Sequence, residues 1–193
     1  MQPDLFSRLA RSRSSVFPDQ FEAGKQVEDA IIREILENAN AAPNHGREQP
    51  WHFTVFSGEG RQRLARIQAD LYKEKAGANF KEATWLKLQQ NPLKASQVIA
   101  IGMKRSANKN IPEIEDIEAV ACAVQNIYLS VAAYGLGGYW GTGGITYYEE
   151  AKALFGLGPD DRLLGFFYIG VMAVPPVRNK RIPVEEKTTW INQ

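Results

Sequence analysis

The sequence is poor in the residues that metal and thiol chemistry need. It has one cysteine, Cys122, and two histidines, His45 and His52. A single cysteine permits no disulfide within the chain, which fits a reducing, cytoplasmic setting. One cysteine and two histidines also fall short of the usual zinc ligand set. There is no run of about eighteen apolar residues, so no membrane span is expected. The segment from Met1 to Arg13 lacks the unbroken apolar core of a signal peptide. An excess of one charge is missing too. Lys and Arg number 23 against 22 Asp and Glu, a formal net charge of +1, whereas nucleic-acid binders usually carry a basic surplus. Neither a membrane nor a nucleic acid is an expected partner. The pattern of a Ser-His-Asp triad is not legible, and no glycine stretch has the endings of a P-loop or a dinucleotide fingerprint.

What remains is an ordinary globular composition. The 193 residues are 44% hydrophobic and 23% charged, enough for one cored domain spanning 1–193. Leu5, Phe6 and Leu9 predict a short first helix. Val27 to Ala41 reads as an amphipathic helix stopped by Pro43. Trp51 to Phe56 alternates as a strand does, and Gly60 to Lys75 reads as a helix charged on one side. Helix is predicted around Ala83 to Leu88, with a break at Pro92. Val98 to Met103 is expected as a buried strand, and Glu113 to Tyr134 as a long helix with an acidic start. That helix is alanine-rich and apolar nearly all round, so several of its sides need cover, either as a central helix or from a second subunit. Gly135 to Gly138 ends it. A glycine-rich strand or turn follows from Tyr139 to Gly144, then a short helix over Tyr148 to Phe155 and a strong strand over Arg162 to Val174. The tail from Val177 to Gln193 reads as an extended arm. Helices and strands are interleaved without the strict alternation of a doubly wound sheet, which indicates an α+β sandwich.

Several positions have chemical potential. Arg11, Arg13, Ser14 and Ser15 form a basic, hydroxyl-rich loop. Guanidinium forks and hydroxyls suit a phosphate, though from these residues alone a solvated surface loop is the favoured reading. Arg178, Lys180 and Arg181 make a second basic cluster near the other end. The loop from Pro43 to Trp51 holds His45, Arg47 and Gln49, a set that suits a pocket wall or an ordinary polar loop. His52, within a strand, reads as structural. Glycines around Trp140 would let backbone approach a flat ligand, or simply mark a bend. Cys122 reads as a buried, inert thiol, and Glu149 with Glu150 as helix surface.

Taken in order, these segments resemble the FMN-dependent nitroreductase family over nearly the whole chain. The resemblance is carried by Arg13-Ser14-Ser15-Val16-Phe17-Pro18, by Ala42-Pro43-Asn44-His45-Gly46 with Gln49-Pro50-Trp51, by Tyr134-Gly135-Leu136-Gly137-Gly138 with Trp140-Gly141-Thr142-Gly143, and by Lys180-Arg181-Ile182-Pro183 with Glu185-Glu186-Lys187. It implies a three-layer α-β-α sandwich around a mainly antiparallel sheet, and a homodimer that exchanges C-terminal arms. It also implies FMN at the subunit interface and hydride transfer from NAD(P)H through the flavin to a small electrophile such as a nitroaromatic or quinone, with no catalytic side chain. By position, Arg13 and Ser15, with Ser14 and Arg11, would contact the FMN phosphate and ribityl chain. Lys180 and Arg181 would supply late basic contacts. Trp140, Gly141 and Thr142 would run beside the ring, and Ala41 and His45 would face it from the neighbouring subunit. Ser14 departs from the arginine or histidine usual there. The alternatives are a specialised flavin reductase or dehalogenase of the same fold, with a lid within 76–111, a non-catalytic flavin-binding or sensing module, and a phosphoanion or RNA binder.

Overall fold

A computed structural model describes residues 3–177 and 180–192. Six α-helices and four strands alternate irregularly along them: α1 (Pro3–Ser12), α2 (Asp29–Asn40), β1 (Trp51–Phe56), α3 (Gly60–Lys75), α4 (Glu82–Lys94), β2 (Gln97–Met103), α5 (Glu113–Ala133), β3 (Leu136–Gly141), α6 (Glu149–Leu154) and β4 (Arg162–Val171). The strands form one sheet in the order β1-β2-β4-β3, and every neighbouring pair is antiparallel.

The period of two along β2 and β4 sorts their side chains onto two faces. Ile99, Ile101, Met103, Phe167 and Ile169 meet α2 and α5 on one face, through Ile32, Ile35, Val120, Val124 and Ile127. Val98, Ala100, Phe166 and Tyr168 meet the other layer, through Leu64 and Tyr72 of α3, Leu88 of α4 and Ala151 of α6. Every residue of β2 is buried. The result is the expected three-layer sandwich with the sheet in the middle.

Several expectations need correction. Pro92 does not break a helix, because α4 runs through it to Lys94 and buries it. Pro92 leaves the Leu88 carbonyl without its i→i−4 donor, a local cost borne by a helix that packs its Leu88 and Pro92 into the core. The segment 76–111, within which the alternative reading sets a lid, contains α4 and the fully buried β2, so β2 is no part of one. Cys122 is exposed. The buried positions of α5 are Asp116, Ala119, Val120, Ala123, Val124, Ile127, Ser130 and Val131, a helical stripe that position 122 misses. Ile114, Ala121, Cys122, Gln125 and Ala133 make a bare face instead. The final strand also ends early, at Val171, and β3 begins at Leu136, directly after the helix.

The acidic start of α5 anchors the segment after β2. Arg105 and Ser106 both bond the Asp116 carboxylate, and Arg105 also bonds the Ile111 carbonyl. Burial opposes the Asp116 charge, but the Ser106 bonds and the Arg105 guanidinium outweigh it and hold the carboxyl below its ordinary range.

Strand β4 has one extra residue, Leu164, opposite the step from Ile101 to Gly102. Such bulges re-aim neighbouring groups. Here the Leu164 carbonyl accepts the Trp140 indole N–H at 2.9 Å. The next residue, Gly165, has φ +118°, and a Cβ there would lie 2.4 Å from the Gly141 carbonyl oxygen and 3.0 Å from Trp140 Nε1. Gly165→Ala is therefore expected to lower stability by roughly 2–3 kcal/mol and to alter Trp140 fluorescence. Urea denaturation checks this, and an unchanged midpoint would refute the packing described.

Candidate functional site

The turn after α1 reaches the sheet at its β3 edge. The Val16 N–H donates to the Gly138 carbonyl at 2.9 Å, the Glu22 N–H donates to Val171 at 2.8 Å, and Phe21 bridges to Met172. These bonds fix Arg13, Ser14 and Ser15 beside the C-terminal half of α5.

Tyr128 of α5 organises this corner. Its hydroxyl accepts the Trp140 backbone N–H at 2.9 Å. It lies 3.4 Å from Ser15 Oγ, to which its own proton is free to donate. Its ring carries the Arg13 guanidinium 4.8 Å from the centroid and meets Phe167 edge-on at 4.6 Å. One residue thus gathers Arg13 and Ser15 with Trp140, which is far from them in sequence. The sequence reading missed Tyr128. A phenol on an otherwise apolar helix was the available signal, since a half-buried tyrosine hydroxyl needs a partner.

Ser12, Arg13 and Ser14 open onto a cavity of about 280 Å3, whose other walls include Leu136, Met172, Pro175 and Pro176. That volume lies at the small end of ligand sites, which run to about 300–1,000 Å3. Arg11 lies one turn earlier, on a wider groove of about 760 Å3 between α1 and α5, lined by Leu5, Phe6, Leu9, Ala132 and Ala133. Gly141 is half-buried and Thr142 exposed at the end of β3.

The other expected residues are not brought to this corner within one chain. His45 sits in a short 3-10 turn, with Nδ1 2.5 Å from Glu115 Oε2. Glu115 precedes Tyr128 by about 20 Å of helix. Ala41 is exposed at the end of α2, three residues beyond Asn38, whose carbonyl accepts from Asn126 Nδ2 at 3.0 Å. Lys180 and Arg181 are exposed in the tail, without a bond to the Arg13 turn among the described residues. Arg178 lies outside the described residues. His52, in β1, has its imidazole pushed below the ordinary value by burial and then by Lys104. Among the described residues no cluster suited to a metal ion exists, and no helix is long and apolar enough to cross a membrane.

Tyr128→Phe is expected to cost about 1–2 kcal/mol, because it leaves the Trp140 N–H without its acceptor. Chemical denaturation measures the loss, and a variant as stable as the parent would show that the hydroxyl does not tie β3 to α5.

Comparison with known proteins fits this geometry. The chain is 29% identical over 152 residues to "Putative NAD(P)H nitroreductase YdjA" of Escherichia coli K12, covering 79% of this chain and 81% of that one. Its fold matches a nitroreductase-like family protein from Bacillus cereus with a TM-score of 0.81 at 27% identity, covering 97% and 96% of the two chains. It also matches the FMN-dependent nitroreductase NfnB from Mycobacterium smegmatis, in complex with NADPH, with a TM-score of 0.72 at 19% identity over 98% and 99%. The family model for nitroreductases matches residues 10–171, a span that includes the Arg13 turn, Tyr128 and Trp140, and the chain belongs to the Nitroreductase family.

Proposed function

We propose that the protein is an FMN-dependent oxidoreductase that takes hydride from NADH or NADPH and reduces a small electrophile such as a nitroaromatic or quinone. On this reading it is a cytoplasmic homodimer, each subunit a single domain over 1–193. The observation that carries the reading is the convergence of Arg13, Ser15 and Trp140 on Tyr128. It sets a phosphate-binding fork and a glycine-flanked strand end side by side. The FMN-dependent neighbour with bound NADPH, and the NAD(P)H relative, support the same cofactor pair.

The residues fit FMN at two of its ends. Arg13 is a cation held at the mouth of a cavity with Ser12 and Ser14, and guanidinium matches phosphate oxygens in pairs. Trp140 is pinned at both its backbone and indole nitrogens, so the Gly141 and Thr142 backbone that follows would meet a flat ring with little reorganisation. Bound FMN would supply N5, the atom that receives and passes on hydride. The chain would bind, orient and exclude water. Arg13 would hold the phosphate, with Arg11 nearby. Ser14 and Ser15 would add neutral donors, so the charge absent at position 14 would fall to Lys180 and Arg181.

A second subunit would complete the site. One chain encloses only about 280 Å3 at the Arg13 turn, and its His45 lies near the far end of α5. Apolar surface is left for a partner: Leu5 and Phe6 beside the α1 groove, and Val177, Ile182, Val184, Trp190 and Ile191 along the tail, are all exposed. An arm crossing to the neighbour would cover the tail residues and carry Lys180 and Arg181 with it.

Protein reconstituted with FMN is expected to lose its visible flavin absorption when NADH or NADPH is added without oxygen. Arg13→Ala should weaken FMN binding by about ten- to a hundredfold, as loss of a charged hydrogen-bond donor does. A protein that leaves FMN free in solution, or holds it oxidised against both nicotinamides, would overturn the proposal.

A further inference from the structure

The loop that presents His45 is braced far more heavily than a surface connection needs. Gly46, Arg47 and Gln49 all have left-handed φ values, +60°, +59° and +50°. Such values are easy for glycine and unfavourable for the other two. Their neighbours hold them there. Asn44 Oδ1 accepts the Gln49 N–H at 3.0 Å, and Glu48 Oε2 accepts the Ala107 N–H at 3.1 Å. Asn40 Oδ1 accepts the Trp51 indole N–H at 2.9 Å across the loop base. Ile111 Cδ1 packs 3.3 Å from where a Gly46 Cβ would stand.

What this bracing displays is an imidazole in a defined pose. His45 Nδ1 lies 2.5 Å from Glu115 Oε2, with the His45 side chain 60% exposed and that of Glu115 38%. Glu115 is in the first turn of α5, where the helix N-terminus favours a carboxylate charge. A carboxylate oxygen at that distance accepts from Nδ1–H and so fixes which ring nitrogen faces inward. Among the described residues, Nε2 has no partner in its own chain.

We propose that Glu115 is a positioning residue. It orients the His45 ring and keeps Nδ1 protonated, so that Nε2 is turned outward to make one hydrogen bond to the flavin bound by the neighbouring subunit. The proposal rests on the FMN reading above, and adds a carboxylate that touches no ligand itself. The logic is that of a second residue fixing the tautomer and direction of a working histidine.

The chain has only two histidines, so imidazole 15N spectra resolve both. In the apoprotein, His45 is expected to show a hydrogen-bonded Nδ1–H that Glu115→Gln alters. Added FMN should shift the His45 Nε2 signal and leave that of His52 in place. Glu115→Ala, which removes the acceptor altogether, should lose most of this response and bind FMN about three- to tenfold more weakly, the range of one hydrogen bond. H45Q should weaken binding by a similar factor, and the double variant no further. Glu59→Gln, exposed at the start of α3, should leave FMN affinity and both spectra unchanged. FMN binding with an unmoved Nε2 signal would overturn the role given to His45 and Glu115 while the flavin reading stands. So would a Glu115→Ala variant with the parent's affinity and Nε2 response. Failure of the parent protein to bind FMN would overturn both.

Discussion

Helix α5 sets the terms for the rest of the molecule. It is apolar enough to need cover on more than one side, and the sheet with α2 covers one of them. Burial of Val120, Val124, Ile127 and Val131 fixes its roll. That roll turns Tyr128 toward the β3 edge and sets Glu115 under the His45 loop. It also leaves Ile114, Ala121, Cys122 and Gln125 exposed among the described residues. The same helix therefore positions both halves of the proposed site and leaves the surface on which a second subunit would join them.

Much of the fold was legible because the local signals agreed with one another. β1 runs from Trp51 to Phe56, and α3 from Gly60 to Lys75, as their alternation and periodicity predicted. The departures have physical causes. Pro92 is buried within α4, and a local helix rule does not show the packing that outweighs its lost bond. Cys122 falls off the buried stripe of α5, and an all-apolar helix does not reveal its roll until its neighbours are known. Leu164 bulges out of β4, and strand alternation has no signature for one inserted residue.

The site was legible in part. Arg13, Ser15 and Trp140 were singled out, and the structure gathers them. Their link through Tyr128 spans more than a hundred residues to Ser15, a separation at which sequence pattern is silent. Glu115 was hidden for a different reason, since acidic residues at a helix start are ordinary capping chemistry. Ala41, His45, Lys180 and Arg181 remain apart from the Arg13 corner in one chain, as they would if the ligand lies between two.

That division is the account's central claim, and sedimentation of the FMN-reconstituted protein followed at the flavin's visible band tests it most directly. The account predicts that flavin travels only with a species of twice the chain's mass, at one FMN per chain. Flavin travelling with a single chain at the same stoichiometry would contradict it.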